Sequence, residues 1–179
     1  HVTVAPWDFS RVNPQTFSRI RLAVEQGSRL RIEYRSMRTP EPHARTVDPH
    51  SLIQAGRRWH MRGYCLETSD FRDFVLGRIA KITVLDQRSE HTVTDDSKWN
   101  AVVKVRIQAH PKLTPGQQDL VRSEYFDGTA VRVHSCRGAM LPYLVQELRL
   151  ALDTTKEMPP EYQLAVENVK EVRKWLFPA

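Results

Sequence analysis

The chain has 179 residues and a formal net charge of +6, with 27 Lys and Arg against 21 Asp and Glu. Apolar residues make up 40% of it and charged residues 27%, which excludes disorder, collagen and coiled coil as descriptions of the whole chain. No apolar run approaches the roughly 18 residues of a membrane span, and the N-terminal residues lack the apolar core of a signal peptide. We therefore expect a cytoplasmic protein of one large domain or two small ones.

The positive charge is unevenly distributed along the chain. Residues 1–85 carry 14 Lys and Arg, 13 of them Arg, against 8 Asp and Glu, whereas residues 86–179 carry 13 of each sign. The whole excess therefore lies in the first half, which predicts two modules with different roles. Arginine-rich segments favour bidentate recognition of phosphate or carboxylate, although scattered surface ion pairs are an alternative explanation.

The first module is predicted to contain one helix and about five short strands. Residues 15–26 place apolar side chains near helical spacing and are followed by Gly27, a typical helix stop. Residues 29–36 alternate between apolar and charged side chains, which predicts a half-buried strand. Further strands are predicted at 45–54, 58–67, 71–76 and 79–85. Pro49 interrupts the first of these, which predicts a bulge or an edge strand there. Because no room remains for crossover helices, these strands predict a small SH3-like or Sm-like barrel, preceded by the helix.

The second module is predicted to be a small α+β domain. We expect strands at 101–109 and 130–135 and helices at 115–126, 138–152 and 159–177. Residues 87–100 are polar and lack an apolar period, so we interpret them as a linker. The predicted organisation is a lead-in over 1–14, a first module over 15–86, the linker, and a second module over 101–179.

The sequence offers little for catalysis or for metal binding. Cys65 and Cys136 lack metal-ligand spacing, so we expect two free thiols. No phosphate-binding glycine loop, paired catalytic carboxylates or nucleophile motif is present. We therefore predict no enzyme activity, no catalytic residues, no cofactor and no metal site.

An unusual group of basic and aromatic residues lies in the predicted strands 58–67 and 71–76. Strand alternation places His60 and Arg62 on one face of the first, and Arg72 shares its face with the following Arg78. If the two strands pair as a hairpin, these four side chains are expected to form one cationic surface. Such a surface needs an anion to offset its repulsion, and guanidinium groups beside aromatic rings suit a phosphate with a base.

Local neutralisation is the alternative explanation for this surface. Three acidic residues of the first module, Glu33, Asp48 and Asp73, lie near enough in sequence to pair with these arginines. The same alternation also predicts Trp59 to be a core residue rather than a pocket residue.

Three linked segments resemble the WYL domain, an Sm-like SH3 barrel named for a Trp-Tyr-Leu triplet. They are DPHSL (48–52), RWHMRGYC (58–65) and FRDFVLGRI (71–79), and the triplet position has Trp59, His60 and Met61. They are most similar to the BrxR/CapW group of transcriptional repressors associated with phage-defence islands. That group combines a winged helix-turn-helix, a WYL domain and a C-terminal dimerisation module called WCX, which residues 139–150 resemble more weakly.

The resemblance implies a ligand-sensing domain that binds a nucleotide or short nucleic acid to control DNA binding. It also implies a homodimer that does not associate with membranes and that contacts operator DNA through the helix-turn-helix. Only residues 1–14 precede the first predicted helix, so we expect a shortened or naturally headless chain that senses or dimerises. The implied ligand-binding residues are His50, Trp59, His60, Arg62, Arg72, Arg78 and, more weakly, Tyr34.

Two other functions stay open at this point. The arginine surface would also suit a module that binds single-stranded nucleic acid directly along its backbone. A protein-interaction module that docks an acidic partner is the second alternative.

Overall fold

The structure, a computed structural model, describes residues 10–177, so residues 1–9 of the predicted lead-in lie outside it. The chain divides into two compact units, and the division falls between Asp96 and Ser97. Each unit has its own cluster of buried apolar side chains. The fold is α+β, with antiparallel sheets and a small C-terminal module, as the sequence predicted.

The first unit follows the predicted order of one helix and five strands. Its elements are α1 (Pro14–Gln26), β1 (Ser28–Tyr34), β2 (His43–Ala55), β3 (Arg58–Cys65), β4 (Asp70–Val75) and β5 (Ile79–Arg88), with one turn of 3-10 helix at Leu76–Arg78.

Local sequence explains where the helix begins and ends. The Asn13 side chain accepts a hydrogen bond from the backbone N–H of Gln15 at 2.8 Å, which caps the first turn. Gly27 follows the last turn with a φ of 63°, a left-handed conformation that glycine adopts without strain. Ile20 and Ala23 are fully buried and belong to the same apolar cluster as the inward residues of the sheet.

The five strands form one antiparallel sheet in the order β4-β3-β2-β1-β5. Its two edge strands, β4 and β5, are consecutive in the chain and joined by the turn Leu76–Arg78. Four strand spacings of about 4.8 Å would separate them by roughly 19 Å in a flat sheet. Four residue steps span at most about 14 Å, so the sheet must curl round on itself as a small barrel does.

A glycine allows β2 and β3 to approach each other closely beside the predicted bulge. The register between these strands shifts between Pro49 and Ser51, as the proline predicted. Gly63 pairs with Pro49, and a Cβ at Gly63 would lie 2.5 Å from the Asp48 carbonyl oxygen. A larger residue at Gly63 would therefore force the strands apart.

The second unit contains a four-stranded sheet of order β7-β6-β9-β8 and three helices of four to eleven residues that follow β6. Its elements are α2 (Ser97–Asn100), β6 (Val102–Ala109), α3 (Pro115–Tyr125), β7 (Val131–Arg137), α4 (Leu141–Glu147), β8 (Leu150–Ala151), β9 (Leu164–Val166) and α5 (Val169–Val172), with single 3-10 turns at Gly138–Met140 and Arg173–Trp175.

The predicted helix over 159–177 is wrong except at α5 and the 3-10 turn that follows it, and the predicted helix over 138–152 is shorter than expected. Leu164–Val166 is a strand that pairs antiparallel with β6 and parallel with β8. All three of its residues are buried, so both faces of the strand are covered and no alternating pattern marks it. The Asn168 side chain then bonds the backbone of β6, accepting from Arg106 N and donating to Lys104 O, which holds the chain against the sheet.

Within residues 10–177, no helix is both long and apolar enough to cross a membrane.

Candidate functional site

The outward face of β3 carries the residues that the sequence grouped together. Met61 and Cys65 point inward and are fully buried in the apolar cluster, so the alternate residues Arg58, His60, Arg62 and Tyr64 lie on the other face. Outward residues of a small barrel are ordinarily exposed. Here His60 and Arg62 are only 5% and 4% exposed, which shows that other groups cover this face.

Arg62 is the centre of a buried charge network. Its Nε and Nη2 donate to the two oxygens of Asp96 at 2.6 and 3.0 Å, a bidentate pair, and its Nη1 donates to Asp73 at 2.9 Å. Burial lowers the pKa of the Arg62 guanidinium, but the bonds to Asp96 and Asp73 outweigh it and raise that pKa above its usual range. Arg62 is therefore a fixed cation whose fork is already occupied by a carboxylate.

His50 supports the same carboxylate from β2. Its Nε2 donates to Asp96 at 3.1 Å, so in the neutral ring Nδ1 accepts from the Ser51 hydroxyl at 2.8 Å. Burial lowers the pKa of His50, and the bond to Asp96 only partly offsets that effect. The Phe71 ring lies edge-on to the imidazole, with 5.6 Å between ring centroids.

A second buried carboxylate, Asp48, lies two residues before His50. It is fully buried and accepts from Arg29 Nε and Nη2 at 2.7 and 3.1 Å. The backbone N–H groups of Glu90 and His91 also donate to it, each at 3.1 Å, and the His91 ring donates to it through Nδ1 at the same distance. Burial raises the pKa of Asp48, but these hydrogen bonds outweigh it and hold that pKa below its usual range.

Residues 89–96, which we call the strap, are thus fixed at both ends. Its first residues bond to Asp48 through Glu90 and His91, and its last residue is Asp96. Residues 92–95 between them are exposed and form a 3-10 turn capped by Thr92 and Asp95. The polar segment interpreted as a linker therefore begins with specific contacts inside the first unit.

The strap also contributes an aromatic contact. The His91 ring stacks on Tyr64, with 3.6 Å between ring centroids and 10° between ring planes. Phe71 lies on the other strand opposite Tyr64, at 5.2 Å and 73°. One end of the outward face is consequently aromatic.

The other end of the outward face is cationic. Arg58 and Arg78 are half-exposed and form no ion pair within the part of the chain that the structure describes. Burial lowers the pKa of His60, the nearby positive charges of Arg58 and Arg78 lower it further, and the charge of Asp73 opposes them. Arg58, His60 and Arg78 therefore lie together at this end, where burial and the two guanidinium groups lower the pKa of the imidazole.

The predicted position of Arg72 is wrong. The register of the β3–β4 hairpin places Asp73 opposite Arg62 and Arg72 opposite Gly63, so Arg72 points away from the outward face. Arg72 is exposed, with Nε bonded to the Thr68 hydroxyl at 3.1 Å and Nη2 4.0 Å from Asp70. Local neutralisation, the alternative that the sequence left open for these arginines, thus holds for Arg62 through Asp73, whereas Asp48 pairs with Arg29 instead.

Two other predicted ligand residues lie against the core. Trp59 packs on the apolar cluster, with its ring edge-to-face against Phe17 at 5.1 Å. Tyr34 is buried, and its hydroxyl accepts from the backbone N–H of Val75 at 3.2 Å. The structure therefore brings together His50, His60, Arg62 and Arg78, and places Arg72, Trp59 and Tyr34 elsewhere.

Several residues of this site, including Arg58, Asp48, His91 and Asp96, were not predicted as site residues. Arg58 shares the strand alternation of His60, and that signal was available from the sequence. Asp48, His91 and Asp96 form polar contacts between residues that are distant in sequence, and the spacing of apolar residues does not reveal such contacts. Among residues 10–177, no group of three or more His, Cys, Asp or Glu side chains is placed to hold a metal ion.

Comparison with known proteins assigns both units. A WYL domain model matches residues 15–84, and the model of the BrxR transcriptional regulator C-terminal dimerization domain matches residues 102–172. The chain is a WYL-domain protein with a BrxR-type C-terminal domain.

The chain is also homologous to repressors named CapW. It is 33% identical over 174 residues to the DNA-binding transcriptional repressor CapW of Escherichia coli (strain KTE188), covering 96% of this chain and 57% of that protein. Identity is 34% over 164 residues to CapW of Pseudomonas aeruginosa, with 91% and 54% covered. The CapW of Stenotrophomonas maltophilia is 35% identical over 156 residues, with 86% and 52% covered. The chain thus spans about half the length of these relatives.

Among solved structures, proteasome accessory factor B/C (PafBC) of Arthrobacter aurescens aligns at 20% identity and a TM-score of 0.43, covering 93% of this chain and 27% of that chain. This likeness is too distant to carry an argument.

Proposed function

We propose that this chain is the ligand-sensing and dimerisation region of a cytoplasmic WYL-type transcriptional repressor linked to phage defence. Its outward β3 face would bind an anionic nucleotide or short nucleic acid. Ligand binding would then change how a helix-turn-helix elsewhere in the repressor contacts operator DNA. We expect no catalysis.

One observation supports the ligand class most directly. Arg58 and Arg78 are half-exposed and have no ion-pair partner among the described residues, and they lie near the imidazole of His60 at one end of the face. Two unpaired guanidinium groups suit a phosphate, and the aromatic residues at the other end suit a base.

A binding titration with matched variants tests this proposal. The probe is tetrathymidylate with a 5′ phosphate and a 3′ fluorophore, followed by anisotropy. Arg58→Ala/Arg78→Ala is expected to weaken binding at least tenfold, since each charged hydrogen bond is worth about 1.5–3 kcal/mol. The control Arg31→Ala/Arg72→Ala removes the same charge from two other exposed positions and is expected to change binding less than threefold. Equal losses in both double variants would contradict a defined site.

The salt dependence of the same titration separates the sensor from its rival. A module that follows the backbone of single strands would bind with an affinity that rises with oligonucleotide length and falls steeply with salt. A pocket for a compact ligand predicts little gain beyond the tetramer. An affinity that keeps rising with length would favour the direct nucleic-acid-binding module.

The C-terminal unit is proposed to hold two copies together. The family description of this unit, a dimerization domain, supports this role. Val102, Leu120 and Val133 are 72%, 66% and 56% exposed in the single chain, which suits self-association. Sedimentation is expected to show a dimer at tens of micromolar, and a monomer there would contradict this part of the proposal.

A further inference from the structure

The strap touches the outward face of β3 with two chemically distinct groups. The Asp96 carboxylate lies on the fork of Arg62, and the His91 imidazole lies flat on the ring of Tyr64. Arg62 and Tyr64 are two residues apart on one face of a strand, so their Cα atoms are about 7 Å apart.

The Asp96 contact has the geometry of a bound anion. Two parallel N–H···O bonds of 2.6 and 3.0 Å from one guanidinium are how arginine holds a carboxylate or a phosphate. His50 donates a third bond to the same carboxylate, and Asp96 is only 1% exposed. These donors all belong to β2 and β3, whereas the anion belongs to the strap.

The His91 contact has the geometry of a stacked base. Ring planes within 10° and centroids 3.6 Å apart describe the face-to-face stacking by which aromatic side chains hold nucleobases. The His91 side chain is still 34% exposed, so this contact lies at the edge of the protein, where a ligand can reach it.

We propose that the strap occupies the place of a nucleotide, with the His91 imidazole standing for the base and the Asp96 carboxylate for the phosphate. A nucleotide or oligonucleotide binds by displacing Asp96 from Arg62 with its terminal phosphate and His91 from Tyr64 with its base, and the other phosphates of an oligonucleotide lie towards Arg58 and Arg78. This inference rests on the proposed function and names the ligand class and the regulation of the same site. A terminal phosphate carries about −1.5 to −2 charges near neutral pH against −1 for Asp96, so it competes well for Arg62.

Displacement has a consequence beyond the first unit. Asp96 is the last residue of that unit, and Ser97 begins both the second unit and α2. When Asp96 leaves Arg62, the backbone that joins the two units is therefore no longer held to β3. Ligand binding on β3 thereby changes how firmly this junction is fixed.

Only molecules with an open strap bind the ligand, so the apparent affinity is the intrinsic affinity multiplied by the open fraction. Asp96→Asn keeps the length and shape of the strap but removes its negative charge. With the phosphorylated tetrathymidylate as probe, Asp96→Asn is expected to bind about tenfold more tightly than the unaltered chain. His91→Ala, which removes the stack together with the Nδ1 bond to Asp48, is expected to bind about threefold more tightly, and it serves as the second variant if Asp96→Asn melts at the assay temperature.

The control for this test is Asp95→Asn in the same strap. Asp95 is exposed and bonds only within the strap among the contacts that the structure gives, accepting from Thr92 N at 2.8 Å. Its substitution removes the same charge one residue away and is expected to change affinity less than twofold. The same oligonucleotide without its 5′ phosphate is expected to lose most of the gain produced by Asp96→Asn.

Each outcome decides the inference. If the folded Asp96→Asn and Asp95→Asn variants bind alike, or if Asp96→Asn binds more weakly, the strap does not compete with the ligand. In that case the proposed function survives, provided that Arg58→Ala/Arg78→Ala still weakens binding at least tenfold. If the probe binds neither the unaltered chain nor Asp96→Asn, both the proposed function and this inference are overturned.

Discussion

The two buried carboxylates that hold the strap against the barrel differ in origin, because one belongs to the barrel and the other to the strap itself. Asp48 is part of β2, and the strap donates to it through the N–H groups of Glu90 and His91. Asp96 is part of the strap, and β2 and β3 donate to it through His50 and Arg62. An external anion can take the place of Asp96 on Arg62, because the donor belongs to the barrel and the carboxylate to the strap. At Asp48 the carboxylate belongs to the barrel, so an anion that binds the barrel does not release the strap there. The strap is therefore expected to open at Asp96 and to remain attached at Asp48.

Removing Asp48 is expected to have the largest effect on stability. Asp48→Ala leaves the buried Arg29 guanidinium without its main partner, which costs about 3–5 kcal/mol of unfolding free energy. Denaturant unfolding measures this loss, with the exposed Asp70→Ala as control at less than about 0.5 kcal/mol. A loss at Asp48 no larger than that at Asp70 would show that Asp48 does not anchor the strap.

Gly63→Ala is expected to disturb β2 beside the Asp48 anchor. A Cβ at this position would lie 2.5 Å from the Asp48 carbonyl oxygen and 2.8 Å from Pro49 Cα. Overpacking of this kind costs about 1–3 kcal/mol, measured again by denaturant unfolding. Gly116→Ala is the control, because open space surrounds that position. Equal stability of the two variants would mean that the strands separate without strain.

Neutralising Asp96 is expected to cost less stability than removing Asp48. In Asp96→Asn the Arg62 guanidinium still bonds Asp73 at 2.9 Å, so it is not left alone. We expect a loss of about 1–2 kcal/mol in denaturant unfolding. If Asp96→Asn loses as much as Asp48→Ala, the two anchors are equivalent, and the strap has no preferred end from which to open.

Acidification is expected to lower stability through the buried imidazoles of His50, which contacts Asp96, and His60. Burial lowers the pKa of both His50 and His60, so the unfolded chain binds more protons below pH 6.5. Stability is therefore complete above pH 6.5 and falls as the pH drops from there, by at most about 1.4 kcal/mol per pH unit for each imidazole. His50→Gln is expected to flatten this dependence between pH 7.5 and 5.5, as unfolding curves at the two pH values would show. Stability that increases on acidification would contradict the sign.

The sequence predicted most of the first unit, because its signals are local. The alternation in β1 and β3 marks which residues point inward, and Pro49 marks the bulge in β2. Arg29 shows the limit of this reasoning, since alternation predicts an exposed side chain but Asp48 holds it buried. The partner that decides its position is 19 residues away in the chain.

The strap and the end of the chain show two other limits. Residues 89–96 are held by polar contacts, which leave no apolar period, and so they were interpreted as part of a linker. Leu164–Val166 was predicted as helix because its neighbours mimic a helical stripe, whereas pairing with β6 and β8 makes it a fully buried strand. In both cases the deciding interactions are distant in sequence.

Amide hydrogen exchange on the unaltered chain tests the central claim most directly. The amides of Asp95 and Asp96 bond to the carbonyls of Thr92 and Val93, while those of Glu90 and His91 bond to Asp48. With saturating phosphorylated tetrathymidylate, we predict faster exchange at Asp95 and Asp96 and unchanged protection at Glu90 and His91. Slower exchange throughout the strap, or no change at residues 95 and 96 in the bound protein, would contradict the displacement of Asp96 by the ligand.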